Sequence, residues 1–271
     1  MTDPQWVPFV GLTAVVLVLL LALARASQGT VRGDRTVPAG DVGREMVRRH
    51  ALAEGELAHD PARECRADRA TPQLTTGALL VNVAVTQGLF GGVLLAGAYF
   101  YAIPPGALGV TADPWNAGVP ALLVGVAFGL ALWGANEASA SLADAVGTPY
   151  DEGLREALAP EGGRGWLVLL GGVLPVVAVV EEFIFRAAVV GVPAAGFGVS
   201  PWALAVVSAS AFAVGHGAQG RIGMAVTGGL GLVLAAGYVL TGSLLVVVVA
   251  HYLVNALEFL VHEGFGVERL L

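Results

Sequence analysis

The sequence predicts an all-α fold: a polytopic membrane helix bundle of about seven transmembrane helices, amino terminus outside and carboxyl terminus cytoplasmic. Three observations lead there. Of 271 residues, 56% are hydrophobic and 13% charged, against about 25% charged in soluble domains, and mean hydropathy is +0.74. Apolar runs near the roughly 20 residues needed to cross hydrocarbon recur at 6–24, 77–101, 117–135, 165–192, 200–217, 222–240 and 243–262. All 14 basic residues are arginine: nine between Arg25 and Arg69, then Arg155, Arg164, Arg186, Arg221 and Arg269. With seven spans, every arginine-bearing connection falls on one side, which the retention of positive charge in the cytoplasm makes the inner one.

Taken in order, residues 1–26 form a first transmembrane anchor. "LARAS" at 23–27 has the small-residue spacing of a signal-peptidase site, but the start "MTDPQW" lacks a positive region and the apolar core is long, so a retained anchor is expected. Residues 27–76 form a polar, arginine-rich cytoplasmic loop with a short helical insert, in which His50 and His59 look solvated. Its lone Cys65 has no partner thiol for a disulfide or metal cluster. Residues 77–164 hold the second and third spans, 165–262 the last four, and 263–271 a tail. The net charge is −7 and there is no basic tract, so nucleic acid is not an expected partner; the lipid bilayer is. The expected location is an integral, multi-pass cell-membrane protein.

Function is sought among the polar residues of the last four spans. "VVEEFIFRAA" at 179–188 puts Glu181, Glu182 and Arg186 inside hydrocarbon, where each charge costs about 2.5 to 3.5 kcal/mol on insertion scales. Glu182 and Arg186 are four apart on one helix face and can pair, while Glu181 is rotated by about 100° and is left without a local partner. "AFAVGH" places Phe212 and His216 four apart, and "AHYLVN" does the same for His251 and Asn255; Glu258 and His262 lie near the last end. An intramembrane histidine alone can be a hydrogen-bonded packing residue. One Glu, two His and one Asn together are the groups needed to hydrolyse an amide.

A carboxylate in a low-dielectric site is a better general base toward water, which suits Glu181. A facing histidine, His216, could hold the same water, and His251 with Asn255 could stabilise the oxyanion. No cofactor is needed in that version. A second version uses Glu181, His216 and His251 as zinc ligands with an open water position, although no HExxH helix supports it.

The motifs also resemble a family. "EEFIFR" at 181–186, "FAVGH" at 212–216 and "HYLVN" at 251–255 are similar, in order and spacing, to the EExxxR, FxxxH and HxxxN motifs of the CPBP (CAAX prenyl protease and bacteriocin-processing, ABI or Rce1-like) intramembrane proteases. "GYVLTGSL" at 237–244 resembles the segment before the last motif, and the likeness covers about 165–262. It implies that Glu181 and His216 activate water, that His251 and Asn255 form the oxyanion site, and that Glu182, Arg186 and Phe212 support them. The expected substrate is a membrane-anchored peptide or protein cut near the cytoplasmic face. Members have been described both as metalloproteases and as metal-independent glutamate proteases. Ala187 and Leu245 depart from the common pattern at positions where no catalytic group is expected. A proton-coupled carrier and a catalytically silent scaffold remain as other readings, the carrier disfavoured by the lack of visible inverted repeats.

Depth poses a problem. Counted from Gly165, Glu181 lies about 24 Å into its span, whereas His216 closes the next span at the cytoplasmic end. A straight helix over 165–192 would run about 42 Å, so a kink or offset is expected at Pro175, with the 215–223 turn inside a cytoplasm-facing cavity. Gly223, Thr227, Gly231 and Ala235, every fourth residue, predict a close-packing face on span six.

Overall fold

The computed structural model describes residues 3–33, 75–145 and 153–267. The loop bearing His50, His59 and Cys65, and Arg269, lie outside them. Among the described residues there is no strand, and an all-α bundle is what the sequence leads to. Its long helices are α1 (Trp6–Gly33), α2 (Thr76–Phe100), α3 (Val119–Ala145), α4 (Gly163–Phe197), α5 (Pro201–Gly215), α6 (Gly220–Thr241) and α7 (Leu244–Glu258), which continues as a wide turn over Phe259–Gly264. Six are long and apolar enough to cross a membrane, one fewer than the seven expected, because α5 has only 15 residues, about 22 Å.

That shortness resolves the depth problem. Gly198, at φ 67°, takes the left-handed conformation that ends α4, and Pro201 starts α5 three residues later. Measured from this shared turn, Glu181 lies 16 residues up α4 from Phe197 and His216 15 residues along α5 from Pro201. The two therefore stand at one level. A 3-10 turn, Gly217–Gln219, then leads into the longer α6, and the Thr227 hydroxyl donates to Gln219 at 2.6 Å to fasten it.

α4 runs 35 residues, about 52 Å, and continues through Pro175. A π-helical turn, Leu169–Val173, precedes that proline, and a second, Phe183–Gly191, precedes Pro193. Each wide turn shifts the ladder from four residues to five, as where Val192 N–H bonds Ala187 carbonyl, before a residue with no N–H to give. The second turn begins directly after Glu182.

Caps fix the end where α7 begins. Ser243 accepts from Val246 N–H and donates to the Asn116 carbonyl, while Leu244 N–H bonds the carbonyl of Gly109, whose φ of 75° favours glycine. α3 packs along α7 through Gly125 and Gly129, one turn apart. A Cβ at Gly129 would sit 2.9 Å from Ala250 Cα and 3.0 Å from its carbonyl oxygen. Backbone lies against backbone there, one residue before His251.

Gly129→Val should therefore push α3 off α7 and lower stability by about 1–3 kcal/mol in detergent unfolding. Gly134→Ala, where nothing lies within 4 Å of the added Cβ, should leave it equal or slightly higher.

Candidate active site

The charged residues of α4 are built in from the centre outward. Glu182 and Arg186 are both fully buried, and Arg186 Nη1 donates to Glu182 Oε1 at 2.8 Å, the i,i+4 pair the sequence implies. Arg186 Nη2 donates to the Gly231 carbonyl at 3.0 Å, and the guanidinium lies 4.8 Å over the Phe212 ring. A Cβ at Gly231 would come within 2.9 Å of that ring, so glycine is what lets α6 offer its carbonyl. Gly231 and Ala235 of the small-residue face are buried accordingly.

The same Glu182 oxygen takes a second donor. His251 Nδ1 lies 2.7 Å from Glu182 Oε1, so one carboxylate oxygen joins α4 to itself and to α7. An ionised carboxylate can only accept, so Nδ1 carries hydrogen and the ring is oriented. Its far nitrogen, Nε2, then faces Glu181 Oε2 at 3.8 Å. Glu181 is 8% exposed, and its other oxygen accepts from Gln87 Nε2 of α2 at 2.9 Å. Glu182 Oε2, Arg186 Nε and Gln87 Oε1 are buried without a hydrogen-bond partner among the described residues.

His216 arrives from the end of α5. Its Nδ1 donates to the Phe212 carbonyl at 2.8 Å, which leaves Nε2 free to accept. Phe212 stands between the two histidines, its ring 4.4 Å from that of His216 and 6.1 Å from that of His251. Among the described residues no His216 nitrogen comes within 4.0 Å of a carboxylate oxygen. Of the two histidines, the one brought against Glu181 is thus His251, with His216 beyond the Phe212 ring. Asn255, half-buried one turn beyond His251, makes no side-chain hydrogen bond among the described residues.

A zinc ion at Glu181, His216 and His251 would need their three ligand atoms to converge. Carboxylate and imidazole suit that ion, but the three ligand atoms do not converge within 4.8 Å. Among the described residues the trio that does is Glu137, Glu258 and His262, at the opposite end of α7 from Ser243. There Arg155 donates to Glu258 at 3.1 Å and to Glu263 at 2.9 Å, Asn136 donates to Glu258 at 2.7 Å, and His262 Nε2 lies 3.0 Å from Glu137. This clasp ties α3, the short helix Gly153–Leu158 and the end of α7 together. Sequence reasoning placed Glu258 and His262 near that end and missed Glu137 and Arg155, which are too distant in sequence to be paired by spacing.

Gln87 was also missed. It is one of two amides, with Asn82, in the second span, outside all three motifs.

The family model for type II CAAX prenyl endopeptidase Rce1-like proteins fits residues 163–257, spanning Glu181, His216, His251 and Asn255. No curated protein and no solved structure matches the chain.

Removing one member of the buried pair should be costly. Arg186→Ala leaves Glu182 charged in an apolar interior and should lower stability by about 3–5 kcal/mol, whereas Glu182→Met with Arg186→Met should lose less. Denaturant titration of the purified variants orders them.

Proposed function

As the chain belongs through residues 163–257 to the Rce1-like family, the CAAX prenyl endopeptidases, and is an integral multi-pass membrane protein, we propose that it is an intramembrane endopeptidase using Glu181 as its general base. The observation that carries this reading is the 3.8 Å approach of Glu181 Oε2 to His251 Nε2 in the buried interior of the bundle. A water and a peptide carbonyl brought to that place would meet both groups.

Glu181 takes a proton from the water as its oxygen attacks the carbonyl carbon. The oxyanion forms beside His251, whose Nδ1–H is held by Glu182 and whose Nε2 donates when the ring is protonated, and the Asn255 amide supplies a second donor from the same helix face. His216 Nε2, left free by the Nδ1 bond to the Phe212 carbonyl, would accept from the same water once the Phe212 ring turns aside. Glu181 then returns its proton to the departing amine, so the C–N bond breaks and two neutral products leave. No step needs a metal ion.

The substrate class follows from the family and from the surroundings. A site in the bundle interior takes a peptide that is itself anchored in the bilayer, and the family's CAAX character favours a prenylated carboxyl-terminal tail. The arginine distribution favours a cut near the cytoplasmic face.

The test is cleavage by purified protein in proteoliposomes of three anchored peptides: prenylated, leader-type and transmembrane. Glu181→Gln should lower kcat by at least about 100-fold, and Asn255→Ala by about 100- to 1000-fold. A chelator should leave the wild type active. Cleavage that survives Glu181→Gln sinks the mechanism; ion flux lost in that variant, with no cleavage by the wild type, favours a carrier.

A further inference from the structure

Gln87 lies on α2, outside the segment that matches the family, yet it is the described residue that hydrogen-bonds Glu181. Its Nε2–H donates to Oε1 at 2.9 Å, while His251 faces Oε2. The two carboxylate oxygens are thus addressed from two different helices. Glu181 has no partner along its own helix, because its neighbour Glu182 takes Arg186.

The backbone is arranged for this contact. One turn on from Gln87, on the same face, stands Gly91, and a Cβ there would lie 2.6 Å from Val180 Cγ2. Val180 directly precedes Glu181, and its β-branched side chain cannot swing aside freely. α2 therefore comes close to α4 at the one place where its amide can reach the carboxylate.

The contact also carries a cost that packing alone does not explain. Gln87 Oε1 is buried without a hydrogen-bond partner among the described residues, which penalises folding. A leucine or methionine would fill an apolar helix face without leaving such an atom. An amide here serves the carboxylate it touches.

We propose that Gln87 is a positioning residue for the reaction, fixing the Glu181 carboxylate so that Oε2 is the oxygen presented to the water beside His251. The inference rests on the endopeptidase reading of this site. Without the donor, the carboxylate can rotate about its terminal bond, and misplaced approaches to the water multiply. Substrate contacts elsewhere are unchanged, so the loss falls on kcat.

Two readouts test it. In steady-state cleavage, Gln87→Leu should lower kcat by about 10- to 100-fold with KM within about twofold, and Gln87→His, which restores an N–H donor, should recover part of the loss. Gly91→Val should reproduce the kcat loss by holding α2 away. Asn82→Leu, at an exposed position on the same helix, should cleave as the wild type does. Separately, infrared spectra of protein labelled with ¹³C-carboxyl glutamate, differenced against Glu181→Gln, isolate the Glu181 band; Gln87→Leu should shift it. Wild-type kcat in Gln87→Leu, or a band that does not move, overturns the proposal. If the wild type cleaves nothing while the band moves, the endopeptidase reading falls and the contact stands.

Discussion

One carboxylate oxygen holds the interior together. Glu182 Oε1 accepts from Arg186 on its own helix and from His251 on α7, and Arg186 continues the chain to the α6 backbone at Gly231 and to the face of Phe212 on α5. Four helices of the carboxyl-terminal half are thereby joined through groups that hydrocarbon would not otherwise tolerate. In a bilayer, apolar burial does not favour one helix neighbour over another, so close packing and buried polar bonds must set the arrangement. The same oxygen that neutralises Arg186 also fixes how the His251 ring is turned. The ion pair and the ring orientation share one atom.

The small residues act as spacers for this network. Gly231 lets α6 present a carbonyl to Arg186, Gly129 lets α3 lie against the backbone beside His251, and Gly91 lets α2 approach Glu181. Each occurs where a polar group must be reached or placed across a helix boundary. The π-helical turns of α4 belong to the same design: they carry a 35-residue helix through Pro175 and Pro193 while keeping Glu182 and Arg186 in register as a pair.

Features that depend on one helix were legible in the sequence. Four-residue spacing identified the Glu182–Arg186 pair, and apolar runs located all seven long helices. What depends on two helices was not. Neither the His251–Glu182 bond nor the Gln87–Glu181 bond can be found by spacing, because each needs the rotation and relative depth of helices 69 and 94 residues apart. The length of α5 is an intermediate case. Hydropathy placed its run but not its 15-residue length, and distance from the cytoplasmic side separates Glu181 from His216 where distance from the shared turn at Gly198 brings them level.

His251 gives its Nδ1 hydrogen to Glu182, so that Nε2 is the nitrogen turned toward Glu181. ¹⁵N NMR of histidine-labelled protein in nanodiscs, with His251 assigned by its loss in His251→Gln, reads this directly. The expected result is a hydrogen on Nδ1 in a strong hydrogen bond that disappears in Glu182→Ala. A neutral ring carrying its only hydrogen on Nε2, unchanged in that variant, would contradict it.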